Sequence, residues 1–139
     1  MTVTEEMKTE NVSITREKIE SFLYREARLQ DEHSYDEWEA LWVEEDAIYW
    51  VPMHKNADPN REVSSIYDNR QRLASRIRQL KTGVRHSQTP QSHLRRLISN
   101  IEFDVKGNEI DVTFNFILIE SRRETLTTWA GQTSQTLVK

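Results

Sequence analysis

Two long runs of alternating apolar and polar residues dominate the last third of the sequence. In the first run the odd-numbered residues from Leu97 to Val105 alternate with the even-numbered residues from Ile98 to Lys106. In the second run the even-numbered residues from Ile110 to Leu118 are apolar. A period of two residues is typical of strands that bury one face. Lys106-Gly107-Asn108, between the runs, is typical of a tight turn. The sequence therefore predicts a long antiparallel hairpin.

The remaining elements follow from the same kind of patterning. A further strand is predicted over residues 124–138 and a short one over 46–52, which ends at Pro52. Helical periodicity predicts helices from Thr15 to Asp31, from Ser34 to just before Glu45, and from Arg70 to Lys81. Ser34 with Glu37 forms a capping-box pattern, Asp68 or Asn69 is a candidate N-cap, and Gly83 is a candidate C-cap.

This order of elements predicts an α+β chain. We expect the helices to pack in the concavity of a strongly curved, mostly antiparallel sheet. Residues 1–14 are predicted to form a flexible N-terminal tail, and residues 15–139 a single domain.

Composition excludes several classes of function. The chain has no cysteine, so it cannot hold an iron–sulfur cluster, a thiolate zinc site or a cysteine nucleophile. Its mean hydropathy of −0.77 leaves no membrane span, and residues 1–15 lack the apolar core of a signal peptide, which predicts a cytoplasmic protein. The arginines are scattered among apolar positions, so we expect no binding to nucleic acid.

No catalytic or metal-binding motif is present in the sequence. None of the four histidines has a partner at a metal-binding spacing, and three glycines cannot build a phosphate loop. An acid–base site assembled from distant positions stays open as an alternative, because a buried carboxylate beside a tyrosine can act as a base. Its candidate residues are Asp46, Tyr49, Tyr67, His86 and His93.

Other features point toward contact with another subunit. The polar face of the return strand becomes apolar at Ile117 and Ile119, and residues 125–138 form a strand without a single charge. An exposed edge strand is normally protected by charges. Arginines around the third helix and at strand ends could bind a partner's carboxylates, or they could belong to solvated surfaces. The candidate interface residues are Arg70, Arg76, Arg78, Ile117, Ile119, Arg122 and Trp129.

The ordered set of short motifs resembles a known family. The motifs are Phe22-Leu23-Tyr24-Arg25-Glu26-Ala27, Arg61-Glu62-Val63, Ile66-Tyr67, Asn69-Arg70, Leu80-Lys81-Thr82-Gly83, Leu97-Ile98-Ser99-Asn100-Ile101 and Ser121-Arg122. In this order they resemble the small (β) subunit of Rieske-type aromatic-ring-hydroxylating dioxygenases, over almost the whole chain. The resemblance implies a nuclear-transport-factor-2-like (SnoaL-like) cone.

The resemblance also implies which subunit carries the catalytic groups. The large (α) subunit would carry the Rieske [2Fe-2S] cluster and the mononuclear Fe(II), and this chain would hold no catalytic, cofactor-binding or metal-binding residue. A trimer of this chain would support three large subunits as α3β3, served indirectly by a ferredoxin and a reductase. The function implied is assembly and stability of an oxygenase that acts on aromatic compounds. The alternatives are a free-standing cyclase, dehydratase or isomerase of the same fold and a ligand-binding module, because a fold alone does not decide function.

Two departures from the family pattern stand out. Family members usually continue through one more strand after the position of Lys139, so we expect either that this sequence is truncated or that the sheet lacks its last strand and leaves one edge unprotected. His93-Leu94-Arg95-Arg96 also differs from the usual Ser-Arg-Thr-Arg-His order. The resemblance implies that the pocket that selects the aromatic substrate lies in another polypeptide, so this sequence does not name that substrate.

Overall fold

The computed structural model describes residues 2–54, 56–64, 66–81 and 92–139. The helices are α1 (Thr2–Asp31), α2 (Tyr35–Glu39) and α3 (Arg70–Lys81). The strands are β1 (Ile48–Val51), β2 (Ile66–Asn69), β3 (His93–Lys106), β4 (Glu109–Arg122) and β5 (Thr125–Val138). The chain is α+β, as predicted. It divides into unit one (Met1–Glu32 with Ser92–Lys139) and unit two (His33–Gln91).

Unit one is a three-stranded antiparallel sheet, in the order β3-β4-β5, with α1 packed against one face. Ile19 and Leu23 of α1 form a buried core with Ile110, Val112 and Phe114 of β4. We call the face that carries these β4 residues the inner face and the opposite one the outer face. Because opposed residues of paired strands share a face, the register of the strands assigns every position to one of the two.

A bulge in β3 changes the face on which its residues lie. The pairing of β3 with β4 shifts between Ser99 and Glu102, and Asn100 has a left-handed backbone with φ 55°. Leu97 pairs with Ile117 on the outer face, whereas Phe103 pairs with Val112 on the inner face. The prediction that all the odd-numbered residues of this strand share one face is therefore wrong, because the bulge inserts an extra residue into the alternation.

The β4–β5 pairing contains one close cross-strand contact. Gly131 lies opposite Phe116, and a Cβ atom at Gly131 would approach two carbons of the Phe116 ring at 2.8 Å. The ring therefore occupies the space that a side chain would need, which ties β5 to a single register with β4.

Unit two contains a small antiparallel sheet and two helices. Strand β1 pairs antiparallel with β2, so that Ile48 lies opposite Asn69 and Val51 lies opposite Ile66. Helix α3 follows β2 directly. The predicted N-cap is confirmed at Asn69, whose Oδ1 accepts a hydrogen bond from the backbone N–H of Arg72 at 2.9 Å. Strand β2 itself was not predicted, because its Asp68 and Asn69 are typical helix caps. The candidate C-cap, Gly83, lies outside the described residues.

Two helix predictions need correction. Helix α1 begins at Thr2 and not at Thr15, so residues 2–14 belong to the same helix. The sequence has no glycine or proline before Pro52, so nothing in this segment breaks a helix. Helix α2 ends at Glu39, well before Glu45, and Ser34 makes no side-chain capping bond. Among the described residues, no helix is long and apolar enough to cross a bilayer.

Candidate functional site

The structure describes four of the five candidates for an acid–base site, three in unit two and one in unit one. Tyr49 pairs with Asp68 and Tyr67 with Trp50, so the two tyrosines lie on opposite faces of the β1–β2 sheet. Asp46 is exposed, with φ 58°, just before β1. His93 is exposed at the start of β3 in unit one. His86 lies outside the described residues, so the site as a whole stays a prediction.

Tyr49 belongs to a packed aromatic cluster in unit two. The rings of Trp38, Trp42 and Tyr49 contact one another edge to face, with centroids 5.6–5.9 Å apart. At these distances the rings touch directly and leave no room for a ligand between them. The indole N–H groups of Trp38 and Trp42 are buried without an acceptor among the described residues. The cluster therefore acts as a core for α2 and β1.

Asp68 and Arg76 form an ion pair in the same unit. The Arg76 Nε donates to Asp68 Oδ2 at 2.6 Å, and the Asp68 side chain is 9% exposed. This hydrogen bond, reinforced by the charge of Asp68, raises the pKa of Arg76 above its ordinary value. Arg76 was a candidate for binding a partner, but its Nε–H group is already engaged within its own unit.

The other interface arginines differ in their surroundings. Arg70 donates an N–H to Glu39 Oε1 at 2.8 Å, and both side chains are about three-quarters buried. Arg78 is exposed and donates to Ser75 Oγ at 3.0 Å, within its own helix. Arg122 is partly buried near the end of β4. Among these candidates, Arg78 keeps the most exposed position, and an interface role stays a prediction for all of them.

The apolar interface candidates lie on two different faces of the sheet in unit one. Ile117 and Ile119 are on the outer face, where Ile117 is 47% exposed. Trp129 pairs with Leu118 and is therefore on the inner face, although it is 54% exposed. Leu97, which sequence reasoning missed, pairs with Ile117 and is 62% exposed. The asparagine at the bulge was the only sequence signal that could have moved Leu97 to this face.

A buried polar network, also missed from the sequence, joins α1 to β3. Arg96 donates from Nε to Asp31 Oδ1 at 2.7 Å and from its backbone N–H to Oδ2 at 3.0 Å. The Arg96 guanidinium also donates to Gln30 Oε1 at 2.9 Å. The Asp31 and Arg96 side chains are only 7% and 17% exposed. The network fixes the end of α1 against β3.

Glu26 is a second buried carboxyl on α1. It accepts a hydrogen bond from Gln135 Nε2 of β5 at 2.7 Å. Burial raises the pKa of Glu26, against the opposing effects of the Gln135 hydrogen bond and the nearby Arg96 charge. The carboxyl therefore holds its proton to higher pH than an exposed glutamate, which makes Glu26 the one buried acid of unit one with a raised pKa among the described residues.

Comparison with known proteins identifies the family. The family described as the ring hydroxylating beta subunit matches residues 25–139. The small subunit of 2-halobenzoate 1,2-dioxygenase from Burkholderia cepacia is 32% identical over 124 residues, which cover 84% of this chain and 74% of that protein. The chain belongs to the ring-hydroxylating dioxygenase β-subunit family. The benzoate 1,2-dioxygenase β subunit of Acinetobacter baylyi is 33% identical, over 79% of this chain and 69% of the relative.

Solved structures agree with this family and define the fold of the β subunit. The β subunit of benzoate 1,2-dioxygenase from Burkholderia mallei matches with a TM-score of 0.72 and 30% identity, over 85% of this chain and 76% of that one. A nuclear-transport-factor-2-like protein from Novosphingobium aromaticivorans matches with a TM-score of 0.62 and 16% identity, over 94% and 77%. The chain therefore has the nuclear-transport-factor-2-like fold that was predicted.

The family implies a large partner subunit with a Rieske cluster and iron, and neither group fits the described residues of this chain. A Rieske cluster takes two cysteines and two histidines, and this chain has no cysteine. Iron sites of non-haem oxygenases take two histidines and a carboxylate. In the part of the chain that the structure describes, no three histidine, aspartate or glutamate side chains come close enough to hold a metal ion.

Proposed function

We propose that this chain is a non-catalytic β subunit, which supports the assembly and stability of the large subunits of an aromatic-ring dioxygenase. The family match over residues 25–139 carries this proposal and favours it over a free-standing enzyme of the same fold. The absence of cysteine from the sequence supports it, because a chain without thiolates cannot ligate a Rieske cluster. In this proposal the [2Fe-2S] cluster and the mononuclear Fe(II) belong to the large subunit.

The proposal extends to the whole assembly. Three copies of this chain would form a trimer that carries three large subunits as α3β3, in the cytoplasm, with electrons supplied by a ferredoxin and a reductase. Support comes from relatives that are themselves named as small or β subunits of dioxygenases acting on halobenzoate, benzoate and p-cumate. The β subunit would contribute surfaces rather than reacting groups.

Mild affinity purification of the tagged chain from its native host tests the proposal. We expect a larger, brown protein to elute in equal amount, with the visible spectrum of a Rieske cluster and iron in that protein. A tagged, unrelated protein from the same host is the control. A colourless chain eluting alone, under conditions that preserve such complexes, would contradict the proposal and direct attention to Asp46 and the alternative site.

The non-catalytic role needs a separate measurement. In the reconstituted complex, we expect Tyr49→Phe and Asp46→Asn to leave the turnover rate within about twofold of the wild type, because groups that touch no reacting atom change rates little. A loss of activity of about a hundredfold or more in either variant, with the complex still intact, would mean that this chain takes part in the chemistry.

A further inference from the structure

Gln135, on strand β5, has a buried acceptor atom that the rest of unit one does not satisfy. Its Nε2 donates to Glu26 Oε1 of α1 at 2.7 Å. The Oε1 atom of the same amide is buried and has no hydrogen-bond partner among the described residues. A buried acceptor without a hydrogen bond destabilises the folded state, and most such groups in folded proteins do have a donor. The amide of Gln135 therefore lacks one donor.

The elements packed around this pair place little charge near it. On β4, the residue opposite Gln135 is the apolar Val112. On β3, Arg96 is the one charge of the described residues that acts on Glu26, and it already donates to Asp31. On α1 itself, the residues one helical turn from Glu26 are uncharged: Phe22, Leu23, Leu29 and Gln30. The polar group that touches the amide is thus the Glu26 carboxyl, and Glu26 is only 9% exposed.

A protonated carboxyl and a primary amide can form two hydrogen bonds at once. The carboxyl accepts from the amide N–H, and the carboxyl O–H donates to the amide oxygen. An ionised carboxyl can only accept, so it makes the first bond and not the second. A proton on Glu26 therefore supplies the donor that Gln135 Oε1 lacks, whereas its loss leaves that oxygen unsatisfied and buries a charge.

We propose that Glu26 and Gln135 form a latch between α1 and β5, which a proton on Glu26 closes. In the closed state, Glu26 donates to Gln135 Oε1 and accepts from Gln135 Nε2. Burial raises the pKa of Glu26, which is the direction that the closed state requires. When Glu26 releases its proton to solvent, one of the two bonds is lost, so the attachment of β5 weakens as the pH rises. The inference concerns unit one alone and does not rest on the proposed function.

Strand β5 is well placed to respond to such a latch. Among the described strands it pairs with β4 alone, at one end of the sheet. The strand at the other end, β3, is tied to α1 by the largely buried ion pair of Arg96 with Asp31, whereas β5 is tied to α1 through Gln135. Segments with fewer packed partners open more readily than the rest of a structure. Amide exchange in β5 therefore reports on the latch.

Hydrogen–deuterium exchange of the full chain, followed by mass spectrometry, tests the latch. Glu26→Gln mimics the closed state at every pH, because an amide at position 26 can both donate and accept. We expect β5 to exchange equally in the wild type and Glu26→Gln at about pH 4, where both are closed. At about pH 8, β5 of the wild type should exchange about tenfold faster than β5 of the variant, the factor that one unit of pKa shift represents. Comparison at equal pH removes the intrinsic pH dependence of exchange.

The matched control is the same substitution at an exposed position of the same helix. Glu20 has a side chain that is 39% exposed, so Glu20→Gln should exchange as the wild type does at every pH. Asp111 also bonds to β5, through the Thr136 hydroxyl, but the hydrogen bond from Lys106 lowers the pKa of Asp111. Asp111 is present in all three proteins, so its effect cancels.

Infrared difference spectra between the wild type and Glu26→Gln detect the proton itself. A protonated carboxyl has a C=O stretching band that a carboxylate lacks, and the band moves to lower frequency when the O–H group donates a hydrogen bond. We expect the Glu26 band to persist above pH 4.5, where an ordinary glutamate titrates, at the frequency of a hydrogen-bonded acid. It should disappear over the pH range in which exchange of β5 rises.

Three results would each overturn the proposal. A carboxyl band that disappears at pH 4.5 would show that solvent reaches the pair and satisfies Gln135 Oε1. A band at the frequency of an acid without a hydrogen bond would show that the proton of Glu26 does not bind the amide. Equal exchange of β5 in the wild type and Glu26→Gln at every pH would show that this proton does not hold the strand.

Discussion

At the scale of single residues, the buried contacts between α1 and the sheet account for much of the specificity of unit one. Asp31 accepts two hydrogen bonds from Arg96, and both side chains are largely buried. Removing one partner of a buried pair leaves the other charge uncompensated. We expect Asp31→Ala to lower the free energy of unfolding by about 3 kcal/mol, measured by urea titration.

A matched control uses an exposed pair on the same helix. The Arg16 Nε and Glu20 Oε1 atoms lie 3.5 Å apart, and the two side chains are 59% and 39% exposed. Glu20→Ala should change the free energy of unfolding by no more than about 0.5 kcal/mol, because solvent screens the pair. Equal losses in the two variants would show that the Asp31–Arg96 pair is not desolvated in solution.

The raised pKa of Glu26 predicts how the stability of the folded chain depends on pH. Its pKa in the folded protein lies above 4.5, the ordinary value, because of burial. Between pH 4.5 and the folded-state pKa, the folded chain therefore holds a proton that the unfolded chain has released, so stability falls as the pH rises through this window. Glu26→Gln keeps an oxygen that can accept from Gln135 and has no charge to desolvate.

We expect Glu26→Gln to gain stability relative to the wild type as the pH rises above 4.5. Urea unfolding of both proteins between about pH 4 and pH 8 measures the difference. Asp111, whose pKa is lowered by Lys106, contributes a slope of the opposite sign, but it is present in both proteins and cancels. A constant difference across this range would show that Glu26 titrates as an exposed glutamate.

At the scale of elements, regular periodicity in the sequence predicted helices and strands well, but it did not show where the periodicity is interrupted in the structure. The bounds of α3 and the length of β5 follow from patterning alone, since each is an uninterrupted element. In β3 a bulge shifts the alternation. The sequence therefore predicted Leu97 on the buried face and Ile98 on the opposite face, whereas in the structure Ile98 packs against the core and Leu97 lies on the outer face. Strand β2 has only four residues, too few for a period to show.

The candidate interface was predictable to a similar extent. The change from polar to apolar at Ile117 and Ile119 depends only on alternation within β4, and both residues do lie on the outer face. The ion pairs of Arg70 and Arg76 join residues far apart or on different elements, so no local pattern could show that these arginines already have partners.

The bulge in β3 leads to a prediction about that strand. Asn100 is exposed and has a left-handed backbone, a conformation that asparagine and glycine adopt more easily than β-branched residues. We expect Asn100→Val to lower the free energy of unfolding by about 1–2 kcal/mol and Asn100→Gly to be tolerated. Thermal unfolding followed by circular dichroism measures both. A valine variant as stable as the glycine variant would mean that the bulge does not require this backbone conformation.

At the scale of the whole molecule, several large apolar side chains are exposed to solvent. Val63, Leu126, Met53 and Leu97 are each more than 60% exposed, and they belong to both units. Single exposed apolar residues are ordinary, but a β subunit is expected to bury several of them in its assembly. Folding and association of this chain should therefore be thermodynamically linked.

This linkage predicts a concentration-dependent melting temperature for the isolated chain. Partners that bind only the folded state stabilise it by mass action, and a hundredfold rise in concentration adds up to about 2.7 kcal/mol. For a chain of this size, we expect the Tm to rise by several degrees between about 1 and 100 µM, measured by scanning calorimetry or fluorescence. Ile117→Lys places a charge at a candidate interface residue and should have a Tm that does not depend on concentration, while Val63→Lys, at an exposed residue of unit two, should follow the wild type. If all three proteins melt independently of concentration, the folded chain gains no stability from its own copies, and its exposed apolar residues must be covered by the large subunit.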